Sequence, residues 1–370
     1  MTTSMGAPDK RLLAYLALLP WLVLSACAIG PSRIPSDRFN YNEAIARSSN
    51  EQMLLNLVRL RYRDTPIFLA VASVLQQYVV TGAVAVSGGT GNLNGFPADS
   101  IGGSANLRYI ERPTITYAPL TGDKFAQQLL TPIPSELLFS LVQSGWPPDL
   151  LIVMGVQRIN HVENVPFFLE SLPEDRERER SFRHVVQLFI ELAQRGAMEL
   201  QQGTSEHPNT PAPRYLVFEE NPDPGTQALI DELKESLHLD QGRSRFLVTN
   251  HLLGRNPDEI TIRLRSVLAL MGFLSRGVEI PAAHIEEGRA TANEQLGETE
   301  SPSLLVPLRI HSSTERPADS FTAVQYQGYW FSIAHSDLTS KEAFTLVTYL
   351  FQMQAPHAPT LGPLLTVPTG

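Results

Sequence analysis

The first hydrophobic pattern along the chain has helical spacing. Over about residues 42–62, Ile45, Met53 and Leu57 recur on one side, and charged residues occupy the other side. This pattern predicts an amphipathic helix. The apolar stretch IFLAVASVLQQY, which follows Pro66, is predicted to form a second, buried helix.

A different pattern begins at residue 79. Residues 79–117 contain seven glycines, and apolar and polar positions alternate in residues 81–87 and again in residues 104–109. Alternation with a period of two is typical of strands, and a Gly/Asn-rich stretch between two such runs is typical of the connecting loop. The sequence therefore predicts a Gly-rich β-hairpin over residues 79–117.

The remaining helices and strands follow one another without a regular strand–helix–strand rhythm. Helices are predicted over residues 122–146 in two pieces, from Ser171 as a long helix, from Asn256 to about residue 276, and from Thr339 to Phe351. Before the last helix, Gln327-Gly328 predicts the turn of a second hairpin. The pattern favours an α+β fold with mixed or antiparallel strands and several amphipathic helices, built as one body with two lobes.

The two lobes are predicted from shifts in composition. The N-terminal α+β lobe is expected to span residues 39–202 and to carry the Gly-rich hairpin. The C-terminal α+β lobe is expected to span residues 203–354 and to contain an acidic loop at 286–303, where five glutamates accompany almost no apolar residues. A Pro-rich tail, 355–370, is expected to follow.

The N-terminus has the pattern of a secretory signal. Lys10 and Arg11 precede 13 uncharged residues, from Leu12 to Leu24. A transmembrane helix needs about 20 apolar residues, so this run is too short to span a bilayer. A basic start, a short apolar stretch and small residues before a cleavage site are typical of a signal peptide, here predicted over residues 1–26.

The end of this segment resembles a known processing motif. Leu24-Ser25-Ala26-Cys27 resembles the bacterial lipobox, and Cys27 is the only cysteine of the chain. The resemblance implies cleavage between Ala26 and Cys27, a diacylglycerol thioether on the Cys27 sulfur, and acylation of the new amino terminus. Only a thiol can form such a thioether. Residues 27–38 are then expected to be a lipidated tether.

The same resemblance implies a location. In the enterobacterial sorting pattern, Asp after the lipidated cysteine retains a lipoprotein in the inner membrane, and Ala28 stands there in this chain. We therefore expect an outer-membrane lipoprotein, lipid-anchored with its body on the periplasmic face. Across the mature chain, NEQMLLNLVRLRYRDTP, TPIPSELL and YQGYWFSI resemble stretches of a group of proteobacterial lipoproteins with no assigned activity.

Composition narrows the possible partners. The full chain has a net charge of −9, and loss of Asp9, Lys10 and Arg11 with the signal leaves a mature net charge of −10. Such a protein gains nothing from a phosphate backbone, so no nucleic-acid partner is expected. Lipidation of the only cysteine leaves no thiol for a disulfide. The expected partners are the membrane, an envelope protein and further copies of the chain.

Candidate chemistry is sparse. None of the nine histidines stands four positions from another, so no helical zinc pair is predicted. No nucleophile elbow or phosphate loop occurs, and we expect neither a cofactor, nor a metal, nor catalysis. The strongest local candidate is His335-Ser336-Asp337, and a turn that leads into the last helix explains it better. Tyr329, Trp330 and Phe331 form a candidate partner surface, although core packing of a hairpin strand is the favoured explanation.

Three functions remain open. The favoured one is a lipid-anchored cell-envelope protein with a structural or protein-interaction role. The alternative is a subunit of an oligomeric envelope pore or secretion complex, to which each copy lends the hairpin 79–117, because a membrane strand needs about 9–11 alternating residues. The small outward-facing residues and the lack of a clear aromatic girdle weaken that alternative. An envelope hydrolase is a second alternative.

We expect Cys27→Ala to abolish incorporation of labelled lipid, because the acceptor thiol is removed, and to leave uncleaved or soluble protein. Metabolic labelling with a fatty acid and membrane fractionation would measure this. A variant that still partitions with membranes after signal cleavage would contradict the lipobox prediction.

Overall fold

A computed structural model describes residues 29–93, 96–164, 173–204, 212–250, 256–291 and 306–354. These residues contain nine helices and three mostly antiparallel sheets, so the predicted α+β class is confirmed. The chain separates into two compact units, Met1–Met53 and Leu54–Gly370. The division into two lobes stays a prediction.

The first unit is described only in its helical part. Helix α1 spans Ile29–Arg61 and so includes the predicted helix at 42–62, although it begins within the predicted tether. Its exposed side carries an ion pair, in which Arg47 donates to Glu43 one turn earlier at 3.0 Å. The predicted signal peptide, cleavage site and lipidated Cys27 lie outside the described residues.

The second unit begins with the last turns of α1 and a two-stranded sheet. Strand β1, Leu69–Leu93, pairs antiparallel with β2, Phe96–Pro119. The predicted hairpin is confirmed and is longer than 79–117, but the Gly/Asn-rich stretch predicted as its loop is mostly strand, paired from Gly88 opposite Ile101 to Leu93 opposite Phe96. The predicted buried helix in IFLAVASVLQQY is wrong, because this stretch forms the first part of β1. Its valines are β-branched and favour the extended backbone.

Two further sheets and eight helices follow. The first group of elements is α2 (Asp123–Leu130), α3 (Ser135–Gln143), α4 (Pro148–Gly155), β3 (Val156–Ile159), β4 (Val162–Glu163), α5 (Pro173–Gln194), β5 (Met198–Gln202), β6 (Arg214–Phe218) and α6 (Pro224–Ser236). The second group is β7 (Arg245–Thr249), β8 (Glu259–Leu264), α7 (Val267–Ser275), α8 (Ala282–Glu286), β9 (His311–Ser313), β10 (Ser320–Tyr326), β11 (Tyr329–Ala334) and α9 (Leu338–Gln354).

The larger sheet has six strands in the order β4-β3-β8-β7-β6-β5, and only β7 and β8 run parallel. Helices α5 and α6 supply the apolar residues that cover it. The core includes Phe182, Val185, Phe189 and Leu192 of α5, Ile230 and Leu233 of α6, and Leu216, Phe218, Phe246 and Ile260 of the strands. Burial of each such side chain contributes about 1.5–3 kcal/mol.

One predicted helix is replaced by two shorter elements. The single helix predicted from Asn256 to about 276 is wrong, since β8 occupies Glu259–Leu264 and α7 begins at Val267. Ile260, Thr261 and Ile262 are β-branched and pair alongside β7 and β3. The N-cap of α7 is Ser266, whose hydroxyl accepts a hydrogen bond from the Ala269 amide at 3.2 Å.

The third sheet has the order β10-β11-β9. The predicted turn is confirmed, with positive φ at both Gln327 (46°) and Gly328 (90°), as a two-residue hairpin requires. Gly277 joins this region to α7. A Cβ there would lie 1.8 Å from the Leu308 carbonyl oxygen, so only glycine allows this approach.

We expect Phe331→Ala to lower the melting temperature far more than Trp330→Ala. The Phe331 side chain is fully buried, whereas that of Trp330 is half-buried on the other face of β11. Truncating a buried aromatic costs about 3–5 kcal/mol. Thermal unfolding followed by circular dichroism would measure the difference, and equal losses would contradict this account of the strand.

Candidate functional site: the long hairpin and its base

The hairpin formed by β1 and β2 is the most unusual feature of the described structure. Its strands contain 25 and 24 residues. At about 3.3 Å per residue, each extends for about 80 Å. The pairing is continuous from Leu69 opposite Pro119 to Leu93 opposite Phe96, with one register shift between Val71 and Ser73.

One face of the hairpin is polar and exposed. Pairing of Thr81 with Arg108, and of Ala83 with Asn106, puts these residues on the same face, together with Ala85 and Ser104. All six are exposed. We call the face that carries them the polar face.

We call the opposite face the apolar face. Between Val80 and Gly88 of β1, and between Ile101 and Tyr109 of β2, no charged residue lies on this face, and we call this stretch the uncharged band. It carries Val80, Gly82, Val84, Val86 and Gly88 of β1, and Ile101, Gly103, Ala105, Leu107 and Tyr109 of β2. Glu111 stands on this face at the base end of the band, and Asp99 stands at the tip end.

The register also brings two tyrosines to one end of this band. Tyr78 and Tyr109 are diagonal neighbours on the apolar face, because Tyr78 pairs with Glu111 and Val80 pairs with Tyr109. The sequence pattern alone reveals no aromatic girdle, since these residues are 31 positions apart and only the pairing register puts them together.

The base of the hairpin is fixed to the rest of the second unit by hydrogen bonds. The fully buried Asn56 of α1 donates its amide to the Ile67 carbonyl at 2.7 Å and accepts from the Ile67 amide at 2.9 Å. At the other strand, the Leu120 amide donates to the Phe68 carbonyl at 2.9 Å. The segment before β1 is therefore bonded to α1, and the segment after β2 is bonded to the segment before β1.

Aromatic packing reinforces this attachment. The buried Phe68 ring stacks on Phe351 of α9 with centroids 4.4 Å apart, and its edge meets Phe125 of α2 at 5.8 Å. Immediately beyond, the apolar face is open to solvent, as Ile115 is 40% and Tyr117 is 53% exposed. The anchored base thus adjoins two exposed apolar side chains, those of Ile115 and Tyr117.

A buried polar cluster lies just before the hairpin in sequence. The Tyr62 hydroxyl lies 2.6 Å from Nδ1 of His284 in α8, and both side chains are buried. The Tyr326 hydroxyl donates a hydrogen bond to the Asp64 carboxylate. The cluster therefore joins the end of α1 to α8 and β10.

The two hydroxyls of this cluster resist ionisation. Burial raises the pKa of Tyr62 to about 12, and the neighbouring Tyr326 contributes to the shift. Burial, followed by the hydrogen bond to Asp64, raises the pKa of Tyr326 as well. Both phenols are therefore neutral at physiological pH and serve as hydrogen-bonding groups.

The structure separates the members of the predicted aromatic surface. Phe331 is fully buried, and its ring centroid lies 6.2 Å from that of Tyr62. Tyr329 is half-buried with its ring 4.9 Å from that of His284, and Trp330 is half-buried below the Arg316 guanidinium. Only Tyr329 and Trp330 of the three therefore reach the surface.

The candidate triad at 335–337 is a turn, as the favoured explanation holds. Asp337 accepts hydrogen bonds from the Ser340 amide at 3.0 Å and the Ser340 hydroxyl at 2.7 Å, and so caps α9. The His335 ring stacks on Phe321. The carboxylate of Asp337 therefore serves as the cap of α9.

Other candidate sites are weak in the part of the chain that the structure describes. No group of three or more potential metal ligands occurs there, and no helix there is long and apolar enough to cross a membrane. A shallow cavity of about 340 Å³ is lined by Tyr215, Arg243, Arg245, Leu247, Asp258 and Glu259. Its charges are already engaged, since Arg243 pairs with Asp258 at 2.9 Å and Arg245 stacks on Tyr215.

Comparison with known proteins gives no match: no family model, no curated protein and no solved structure is significantly similar to this chain. Function must therefore be argued from the hairpin itself. The residues that sequence reasoning missed here are Asn56, Tyr62, Arg108 and His284. Of these, only Arg108 has a local signal, namely its place in an alternating strand.

We expect the free energy of unfolding to fall as pH rises from about 10 to about 12, and Tyr62→Phe to flatten this decline. An unfolded tyrosine ionises near pH 10, whereas the folded protein keeps the Tyr62 proton to higher pH. Alkali therefore favours the unfolded chain. Melting temperature against pH would measure the slope.

The matched control is Tyr349→Phe, which removes a hydroxyl from a side chain that is 46% exposed and should leave the slope unchanged. Identical slopes in the wild type and in Tyr62→Phe would contradict the role of the buried phenol.

Proposed function

We propose that this chain is a lipid-anchored subunit of an oligomeric pore in the bacterial cell envelope, and that each copy contributes its hairpin to a shared, membrane-spanning sheet. The single observation that carries the proposal is the uncharged band on the apolar face of the long hairpin. The structural or interaction role expected from the sequence then becomes a specific one, which is assembly of copies through their hairpins.

The dimensions of the band support this proposal. Nine residues per strand, Val80 to Gly88 and Ile101 to Tyr109, lie between the flanking charges. A membrane strand needs about 9–11 residues. Nine residues extend for about 30 Å, and a tilt of about 40° reduces this to a height of about 23 Å, close to the roughly 25 Å apolar belt of membrane-spanning sheets.

The alternation of apolar and polar residues along each strand also supports the proposed membrane-spanning sheet. Membrane-spanning sheets place apolar residues toward lipid and polar residues toward the interior, and aromatic residues collect where the belt meets the headgroups. The apolar face and the exposed polar face of the hairpin divide in this way. Tyr78 and Tyr109 stand at the base end of the band, where an aromatic girdle belongs.

The free edges indicate how copies would join. Among the residues that the structure describes, β1 and β2 form a sheet only with each other, so the outer edge of each strand offers backbone amides and carbonyls for pairing with another copy. In lipid, such groups must be satisfied within the protein. Pairing of β1 of one copy with β2 of the next is a head-to-tail contact, and a ring of such contacts closes the sheet.

The lipid anchor fits this arrangement. Acylation of Cys27, predicted from the lipobox resemblance, would hold each copy at the outer membrane before assembly. The anchor precedes the hairpin by 42 residues in sequence. Confinement to one membrane raises the effective concentration of copies for each other, which favours a ring without any additional contact.

We expect Val84→Arg to abolish conductance in planar bilayers, because an arginine facing lipid at the bilayer midplane costs about 2–4 kcal/mol for each copy. The matched control is Ala83→Arg at the adjacent position. Ala83 lies on the exposed polar face, so this variant should still form pores. Single-channel recording with purified, lipidated protein would measure both.

Melting temperatures equal to that of the wild type would show that both variants keep a folded body. Loss of conductance in both variants, retention in both, or no conductance from the wild-type protein would overturn the proposal. Mass measurement in detergent adds a second readout, since a pore subunit must be recovered as an oligomer.

A further inference from the structure

We infer that the passage through the proposed pore is anion-selective, and that Arg108 from each copy forms the selecting ring. This inference rests on the proposed function and names the class of solute that the same hairpin admits. It follows from how the hairpin distributes its charges between its two faces.

The charges of the hairpin separate by sign. Residues 69–119 contain four charged residues, Asp99, Arg108, Glu111 and Arg112. The register puts both acidic residues on the apolar face, outside the uncharged band, and both arginines on the polar face. The polar face is therefore purely cationic along the whole hairpin.

Arg108 lies within the depth of the uncharged band. It pairs with Thr81, and the adjacent pair on the apolar face is Val80 with Tyr109. Arg108 is one residue from the base end of the band, and an arginine there keeps its full hydration when it faces a water-filled interior rather than lipid. The exposed Arg108 side chain thus indicates that the polar face lines the passage.

The neighbours of Arg108 leave its charge uncompensated on that face. The residue opposite is Thr81, and the next positions along the same face are Asn106 and Ile110 of β2 and Val79 and Ala83 of β1. None of them is acidic. The guanidinium therefore contributes a full positive charge to the surface that would face a permeating ion.

Arg108 is also the longest side chain of the polar face within the band. The other members there are Thr81, Ala83, Ala85, Ser87, Gly102, Ser104 and Asn106. Once copies close into a ring, the arginines would form a cationic constriction at the base end of the band, next to a section toward the tip that is lined by smaller residues. Rings of arginine or lysine are the arrangement that selects anions in pores.

Arg112 stands four positions further toward the base on the same face, next to the end of the band. Four residues correspond to about 13 Å along the strand. It would supply a second cationic level at the mouth of the passage. Two levels of like charge attract anions into the mouth and then through the constriction, since low-dielectric walls strengthen the field of each ring.

The test is the reversal potential of single channels in planar bilayers under a KCl gradient. We expect the wild-type protein to pass chloride several-fold better than potassium. Arg108→Gln should bring the permeability ratio toward one, and Arg108→Lys should keep the preference for chloride, because it keeps the charge. Arg180→Gln, which removes an exposed arginine from α5, is the matched control and should leave the ratio unchanged.

The outcomes separate the two proposals. Channels that prefer potassium, or an Arg108→Gln variant with the wild-type permeability ratio, would overturn the anion inference while the pore function stands. An equal shift in Arg180→Gln would also overturn it, since the effect would then follow total charge. Absence of any channel from the wild-type protein would overturn the pore function, and the inference with it.

Discussion

The unpaired edges of one long hairpin constrain this protein more than any other feature. In a two-stranded sheet, each strand forms its backbone ladder hydrogen bonds along one edge only. Such a sheet by itself is at best marginally stable in water. Water can hydrate the free edges, but it cannot satisfy the apolar face from Val80 to Gly88 as well. The closed sheet in lipid that we propose, built from several hairpins, would pair every edge and cover that face.

The rest of the second unit gives this hairpin a fixed origin. Asn56, through Ile67, and Phe68 attach the start of β1 to α1, α2 and α9, which come from distant parts of the sequence. The Tyr62–His284 hydrogen bond joins the same end of α1 to α8. Because these contacts are buried, the direction of the hairpin follows the body. Bodies that pack side by side would therefore present their hairpins in one orientation.

Local patterns in the sequence predict part of this arrangement. Alternation of apolar and polar residues over 79–117 predicts the outer part of the hairpin. The apolar stretch IFLAVASVLQQY before it shows neither a helical nor a strand period, and the prediction of a buried helix there is wrong. The residues from Asn256 predict the start of a helix, but β-branched residues and pairing with β7 make the strand β8 the next element. In the buried polar cluster, Tyr62 contacts His284, which is 222 positions away, and Asp64 contacts Tyr326, which is 262 positions away. No local pattern in the sequence predicts contacts between such distant residues.

The net charge of the chain is a poor guide to the ion selectivity of the proposed passage, and the geometry of the hairpin explains why. The chain is acidic overall, which taken alone favours cations as partners. Arg108 lies 11 residues from the end of β2, about 36 Å along the strand. Charges are screened over about 8 Å at physiological ionic strength. The field at the proposed constriction would therefore be set by the residues of the polar face, and the acidic surface of the body would have little effect there.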